Sequence, residues 1–147
     1  MITPVTPDLI RTTLDLHPLP QEGGLWTQSW RTEDFSTIYY LLERPDFSAW
    51  HRLDFPEVYA YHAGDPLTLH TLGDGGLVQR TLGVDLAAGE RPQAVVPAGT
   101  WQASESAGWT LVSTVVVPAY TDECVEFSGD LAERFPEHAG LVARLSR

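Results

Sequence analysis

Lysine is missing from this 147-residue chain, and its nine basic side chains are all arginine. Without a lysine amine there is no Schiff-base chemistry, no lysine general base and no cofactor anchored through lysine. Positive charge is scarce altogether, because twenty acidic residues give a formal net charge of −11. No basic cluster interrupts that field, so phosphate backbones are repelled and no nucleic-acid partner is expected. Cysteine is nearly absent too. Cys124 stands alone and cannot form an internal disulfide, which fits a reducing, cytoplasmic setting. Long hydrophobic runs are lacking: the strongest, Trp109–Val117, is far too short to span a bilayer. Met1-Ile2-Thr3-Pro4 has neither the basic start nor the apolar run of a secretory leader, so neither a leader nor a membrane association is expected.

What is present describes a globular chain. Its 43% hydrophobic and 20% charged composition suits one domain, residues 1–147, with a real core. The opening reads as a short helix: Thr6 caps it, Pro7 suits the first helical position and Asp8 complements the dipole. Leu9, Ile10, Thr13, Leu14 and Leu16 share a face, and Pro18 and Pro20 end it; the helix is expected to cover one side of a β structure. After Gly23-Gly24 the pattern turns to short aromatic and β-branched runs. Strands are expected near Trp26–Arg31, Thr37–Leu42, Ser48–Leu53, Val58–His62, Leu67–Leu72, Leu77–Leu82, Ala94–Val96, Thr100–Ser104 and Trp109–Val117. Gly73-Asp74-Gly75-Gly76 signals a tight turn. Many short strands at regular spacing favour a sandwich or barrel. Beyond them Ser128 is a candidate cap for a helix over Gly129–Phe135, Pro136 breaks it, and Glu137–Leu145 adds a last turn or two.

The stretch Trp50 to Pro66 carries the chemistry. Alternation puts His51 and Leu53 on one strand face, and Glu57, Tyr59 and Tyr61 on one face of the next, with Val58, Ala60 and His62 opposite. With those faces turned inward, an imidazole and a carboxylate meet across neighbouring strands, able to bind a metal or to act as base and orienting acid. Pro97-Ala98-Gly99 then hands the chain to another strand, with Gln102 shortly after.

These residues resemble the two cupin motifs. His51, Glu57 and Gly64 follow the first, which runs Gly, His-x-His, Glu, Gly; Pro97 and Gly99 follow the second, Pro-x-Gly-x2-His. Within the superfamily the chain is similar to the small "fifth cupin" family, whose barrel is epimerase-like. That likeness rests on His17-Pro18 through Glu22-Gly23-Gly24, Ile38–Leu42, Gly64–Leu67, Gln93 with Val96–Trp101, and Val117-Pro118 followed by Glu126-Phe127. The resemblance implies a mainly β, double-stranded β-helix (jelly-roll) barrel with short terminal helices, and a homodimer anchored by outward aromatics such as Trp50 and Trp101. A cupin metal site takes three His and one Glu. Here Leu53 and Gln102 replace two of the His, and Ala60 stands where the family carries its own His. The possible divalent transition-metal set shrinks to His51, Glu57 and Gln102, an amide being a poor ligand for such metals.

Three functional readings follow. One is a small-molecule pocket with metal-free, isomerase-like acid/base chemistry on a small polar, sugar-like ligand: His51 abstracts a proton, Glu57 orients it and Tyr39 donates from the opposite side. Another is a non-catalytic small-ligand binding module. The third is a metal-dependent cupin enzyme with the reduced ligand set. Glu22, Arg31, Gln102 and Glu126 complete the candidate pocket. Glu22 either reaches the barrel mouth or is solvated, Tyr39 either meets a ligand or fills the core, and Glu126 has Arg31 or Arg52 as pairing candidates. His70 and His138 lack motif context and are expected at the surface, and Cys124 shows no sign of activation.

Overall fold

A computed structural model describes residues 2–127 and 129–147. The first helix, α1 (Pro7–Thr13), forms as its cap chemistry dictates, with Thr6 Oγ1 accepting from the Leu9 N–H at 3.2 Å. It stops earlier than the prolines imply, because Asp15 takes a left-handed φ of 55°. The strands follow: β1 (His17–Pro18), β2 (Leu25–Arg31), β3 (Ser36–Glu43), β4 (Phe47–Leu53), β5 (Glu57–Gly64), β6 (Leu67–Gly73) and β7 (Gly76–Leu82). Then come β8 (Gln93–Val96), β9 (Trp101–Ser106), β10 (Trp109–Val116) and β11 (Val125–Phe127), before α2 (Leu131–Arg134) and α3 (Ala139–Arg144). The proposed cap at Ser128 lies outside the described residues.

Among the described residues the strands form two antiparallel sheets, ordered β1-β2-β3-β10-β5-β8 and β11-β4-β9-β6-β7. Facing each other, they make the jelly-roll barrel. The chain changes sheet between β4 and β5, so His51 and Glu57 do not come from neighbouring strands as the sequence suggested. They face each other across the barrel. The strands the sequence did not show, β1 and β11, are two and three residues long and exist by pairing with β2 and β4.

Three apolar layers result, beside a smaller cluster of Leu53, Val116 and Cys124. Tyr40, Leu42, Tyr59, Leu67, Leu69 and Val112 fill one end of the barrel interior. On the outer face of the six-stranded sheet, Ile10 of α1 packs on Leu41 and Leu111, a burial that contributes roughly 2 kcal/mol for the isoleucine alone. On the outer face of the five-stranded sheet, Leu131, Val142 and Leu145 of the C-terminal segment cover Trp50, Trp101 and Leu72. Both indoles are therefore buried within the chain, and they do not supply the outward anchors expected for a dimer. His70 is another correction. It is buried under the same layer, donating from Nε2 to Glu105 at 2.8 Å and accepting at Nδ1 from Gln79 at 2.9 Å, while Arg144 of α3 grips Glu105 through two bonds of 2.7 and 2.8 Å. His138 is half-buried beside Glu137. No helix among the described residues is long and apolar enough to cross a membrane.

Candidate functional site

The end of the barrel not filled by leucines holds a cavity of about 650 Å³. His51 enters from β4, with Leu53 on the same face, while Trp50 points out to the C-terminal layer and the Arg52 guanidinium sits over the Trp101 ring. That is the alternation read from the sequence. The His51 ring is buried, and its Nδ1–H donates to the Ala49 carbonyl at 2.7 Å. A carbonyl can only accept, so the tautomer is fixed, and in neutral imidazole the Nε2 lone pair faces the cavity.

Glu22 lies 3.6 Å from that nitrogen. Its loop is tied down in several ways. Ser48 donates to its Oε2 at 3.0 Å, and its own carbonyl accepts from the Ala49 N–H at 2.8 Å and from Arg147 at 2.6 Å. Gly24 makes the approach possible: at φ +77° a Cβ there would lie 2.5 Å from the Tyr40 ring. The carboxylate beside the imidazole is thus Glu22, from the Gly-rich loop, and not only the Glu57 of the motif.

Glu57 enters from β5 with an exposure of 8%. Its Oε1 accepts from the Gln102 amide at 3.0 Å, and the Thr114 hydroxyl also bonds it. Burial raises its pKa to about 7; His51 opposes that rise, the charge on Glu22 adds to it, and the Gln102 and Thr114 hydrogen bonds oppose it. Gln102 sits behind this carboxyl rather than on the cavity wall, with its Oε1 taken by the Tyr59 hydroxyl. His51 and Gln102 pair directly across β4 and β9, which is why both side chains point inward. Tyr40 and Tyr59 line the cavity, and burial keeps both phenols protonated, their pKa values raised well above the ordinary one.

The structure therefore brings His51, Glu57, Glu22 and Arg31 to one cavity, with Gln102 supporting the floor. Arg31 is exposed at the mouth, donating to the Tyr120 carbonyl at 2.6 Å. Two expected residues are elsewhere. Tyr39 points to the opposite sheet face, packed with Leu41 and Ala63 under α1, because its neighbour Tyr40 takes the inward position. Glu126 pairs with Arg52, at 2.7 and 2.8 Å, outside the cavity. The sequence also missed Tyr40, Tyr59 and Ser48; Tyr59 shared Glu57's face and could have been read from that parity. Cys124 is buried and its thiol pKa is raised by burial, so nothing activates it as a nucleophile.

The donors do not fit the three-His, one-Glu metal pattern. Leu53 is apolar, and both ends of the Gln102 amide are spent on Tyr59 and Glu57. Among the described residues no group of three or more His, Cys, Asp or Glu side chains is arranged to hold a metal ion.

Comparison with known proteins agrees with this architecture. A protein from Shewanella oneidensis, SO0799, known from a crystal structure, is 35% identical, with 98% of this chain and 99% of that one covered at a TM-score of 0.92. A hypothetical protein from Leishmania major is 27% identical over 97% and 99% of the two chains, at a TM-score of 0.89. The oxalate decarboxylase OxdC of Bacillus subtilis shares the fold alone, at 13% identity and a TM-score of 0.63 over 90% of this chain and 38% of that one. No curated protein matches the sequence. A family model described as Cupin superfamily (DUF985) matches residues 8–128, and the chain belongs to that family.

Proposed function

We propose that the cavity binds a small, polar, sugar-like molecule and moves a proton at a carbon next to its carbonyl, without a metal. The observation that supports this most is a bare imidazole nitrogen and a buried carboxyl group, on opposite walls of one cavity, with the carboxyl poised to gain or lose its proton near pH 7. His51 Nε2 takes the proton from carbon. Neutral Glu57 gives its proton to the carbonyl oxygen, so that an enediol forms without leaving a naked oxyanion. Glu22 stabilises the imidazolium created at His51, as a carboxylate at 3.6 Å does beside a buried ring. Return of a proton to the neighbouring carbon, or to the other face of the same carbon, completes an isomerisation or an epimerisation.

Tyr39 has no part in this scheme, since it lies on the far side of the sheet. The acid is Glu57 instead, and the wider charge balance disfavours an anionic substrate: Glu22, Glu57 and Asp122 outnumber Arg31 around the cavity. The test is hydrogen exchange with solvent. A panel of neutral α-hydroxy aldehydes and ketones is incubated with the protein in D2O containing EDTA, and loss of the α-proton signal is followed by NMR. Exchange is expected for at least one compound, reduced about a hundredfold or more in His51→Gln. Exchange that is equal in the variant, or absent for every compound, would leave the cavity as a binding module.

A further inference from the structure

When Glu57 is ionised, the side-chain hydrogen-bond donors on the cavity floor are spent on the protein itself. The Tyr40 hydroxyl donates to the Gly23 carbonyl at 2.6 Å, and the Tyr59 hydroxyl to Gln102. Ser48 donates to Glu22 at 3.0 Å, the His51 Nδ1–H to Ala49 at 2.7 Å, and the Gln102 amide to Glu57 at 3.0 Å. What these bonds leave facing inward is acceptor capacity. A carboxylate has about four acceptor sites. Ser48 donates to Glu22, and Gln102 and Thr114 to Glu57, which leaves both carboxylates with acceptor sites to spare. The His51 Nε2 lone pair adds another, and its 3.6 Å separation from Glu22 Oε1 is too long for a direct hydrogen bond. That gap is one a donor group can close by bonding to both atoms. The free guanidinium chemistry lies elsewhere, on Arg31 at the exposed mouth.

We infer that the floor is a subsite for the donor end of a ligand, an ammonium group or a pair of hydroxyls, so that the natural ligand is an amine-bearing or polyhydroxylated small molecule that enters donor-end first. With Glu57 ionised, a carboxylate or phosphate in the same place would set its lone pairs against three acceptors and receive no donor in return, a mismatch that costs most where groups are buried. An ammonium gains charge-assisted bonds to Glu22 and Glu57. This rests on the same cavity as the proposed function but describes a different state of it, with Glu57 ionised and His51 Nε2 accepting from the ligand, so it stands on binding and not on turnover.

Three probes that share a 2-hydroxypropyl skeleton isolate the effect: 1-amino-2-propanol, propane-1,2-diol and lactate. Each is titrated into the full-length protein at pH 8, and the side-chain resonances of Gln102 and His51 are followed by NMR. The amine is expected to bind about tenfold more tightly than the diol, and lactate to give no saturable shift at either residue. Glu22→Gln is expected to weaken the amine about tenfold while changing the diol by no more than about twofold. Lactate binding as tightly as the amine would overturn the inference, and so would the failure of all three probes to shift the floor resonances. The proposed chemistry fails separately: floor binding in this order, with no solvent exchange on the carbonyl panel, removes the catalytic reading alone.

Discussion

Replacing Glu57 with glutamine should stabilise the protein in alkali and hardly affect it in acid. The carboxyl is buried, and burial carries its pKa from 4.5 to about 7. Between those values the folded chain holds a proton that the unfolded chain has released. The stability contributed by this group is therefore complete below pH 4.5, falls across the window and is lost as pH rises through about 7. Each pH unit in the window is worth about 1.4 kcal/mol, so the full span amounts to about 3 kcal/mol. Glutamine copies the neutral form in size and keeps an oxygen for the Gln102 amide, but it cannot ionise. Its advantage over the wild type should be close to zero at pH 4.5 and approach about 3 kcal/mol at pH 8, or about 6–12 °C in Tm for a chain of this length. Urea titrations of both proteins at pH 4.5, 6, 7, 8 and 9 give the difference, titrating groups remote from the cavity cancelling between them. A difference that does not change with pH would refute the reasoning, because it would mean that Glu57 ionises as easily in the fold as out of it.

The Gly24 position offers a steric test: Gly24→Ala combines a left-handed φ with a Cβ 2.5 Å from the Tyr40 ring, and should cost about 3 kcal/mol in urea denaturation, whereas Gly75→Ala, with open space around it, should stay within about 0.5 kcal/mol. His70 bears on pH from the opposite direction. Burial lowers its pKa from 6.5, so the fold loses stability when acid protonates the unfolded chain first, and His70→Gln should reduce the wild type's fall in urea midpoint between pH 7 and pH 5.

Most of the β architecture could be read from the sequence, and what could not has identifiable causes. All nine expected strands exist, with ends that moved by one or two residues, because alternating apolar residues between turn signals are a strong local pattern. β1 and β11 are too short to carry such a pattern; their existence depends on partners far along the chain. The choice between Tyr39 and Tyr40 failed for a different reason. Leu41 and Leu42 are both buried, one under α1 and the other inside the barrel, so this strand is apolar on both faces and its parity is hidden. Trp50 and Trp101 misled in the same way: alternation rightly placed them outward, but outward here means beneath the C-terminal helices. His70 needed Gln79 and Glu105 from two adjacent strands to become a buried, satisfied side chain, and no spacing in the sequence joins those three.

The two departures from the metal pattern bear directly on the state of Glu57. A divalent cation beside a carboxyl group holds it ionised, whatever burial costs. In this barrel, the groups that favour the charged form are His51 and two hydrogen bonds, one from the Gln102 amide and one from Thr114, and they fall short of offsetting desolvation. Leu53, where the pattern has an imidazole, supplies neither donor nor charge. The glutamine is not an idle replacement, since its other end receives the Tyr59 hydroxyl and so joins β5 to β9 across the barrel. A residue pattern that forfeits metal ligands thereby produces a carboxyl group that can change charge near pH 7, across the cavity from an imidazole whose tautomer is already fixed. The same substitutions that weaken the case for a metal strengthen the case for proton transfer.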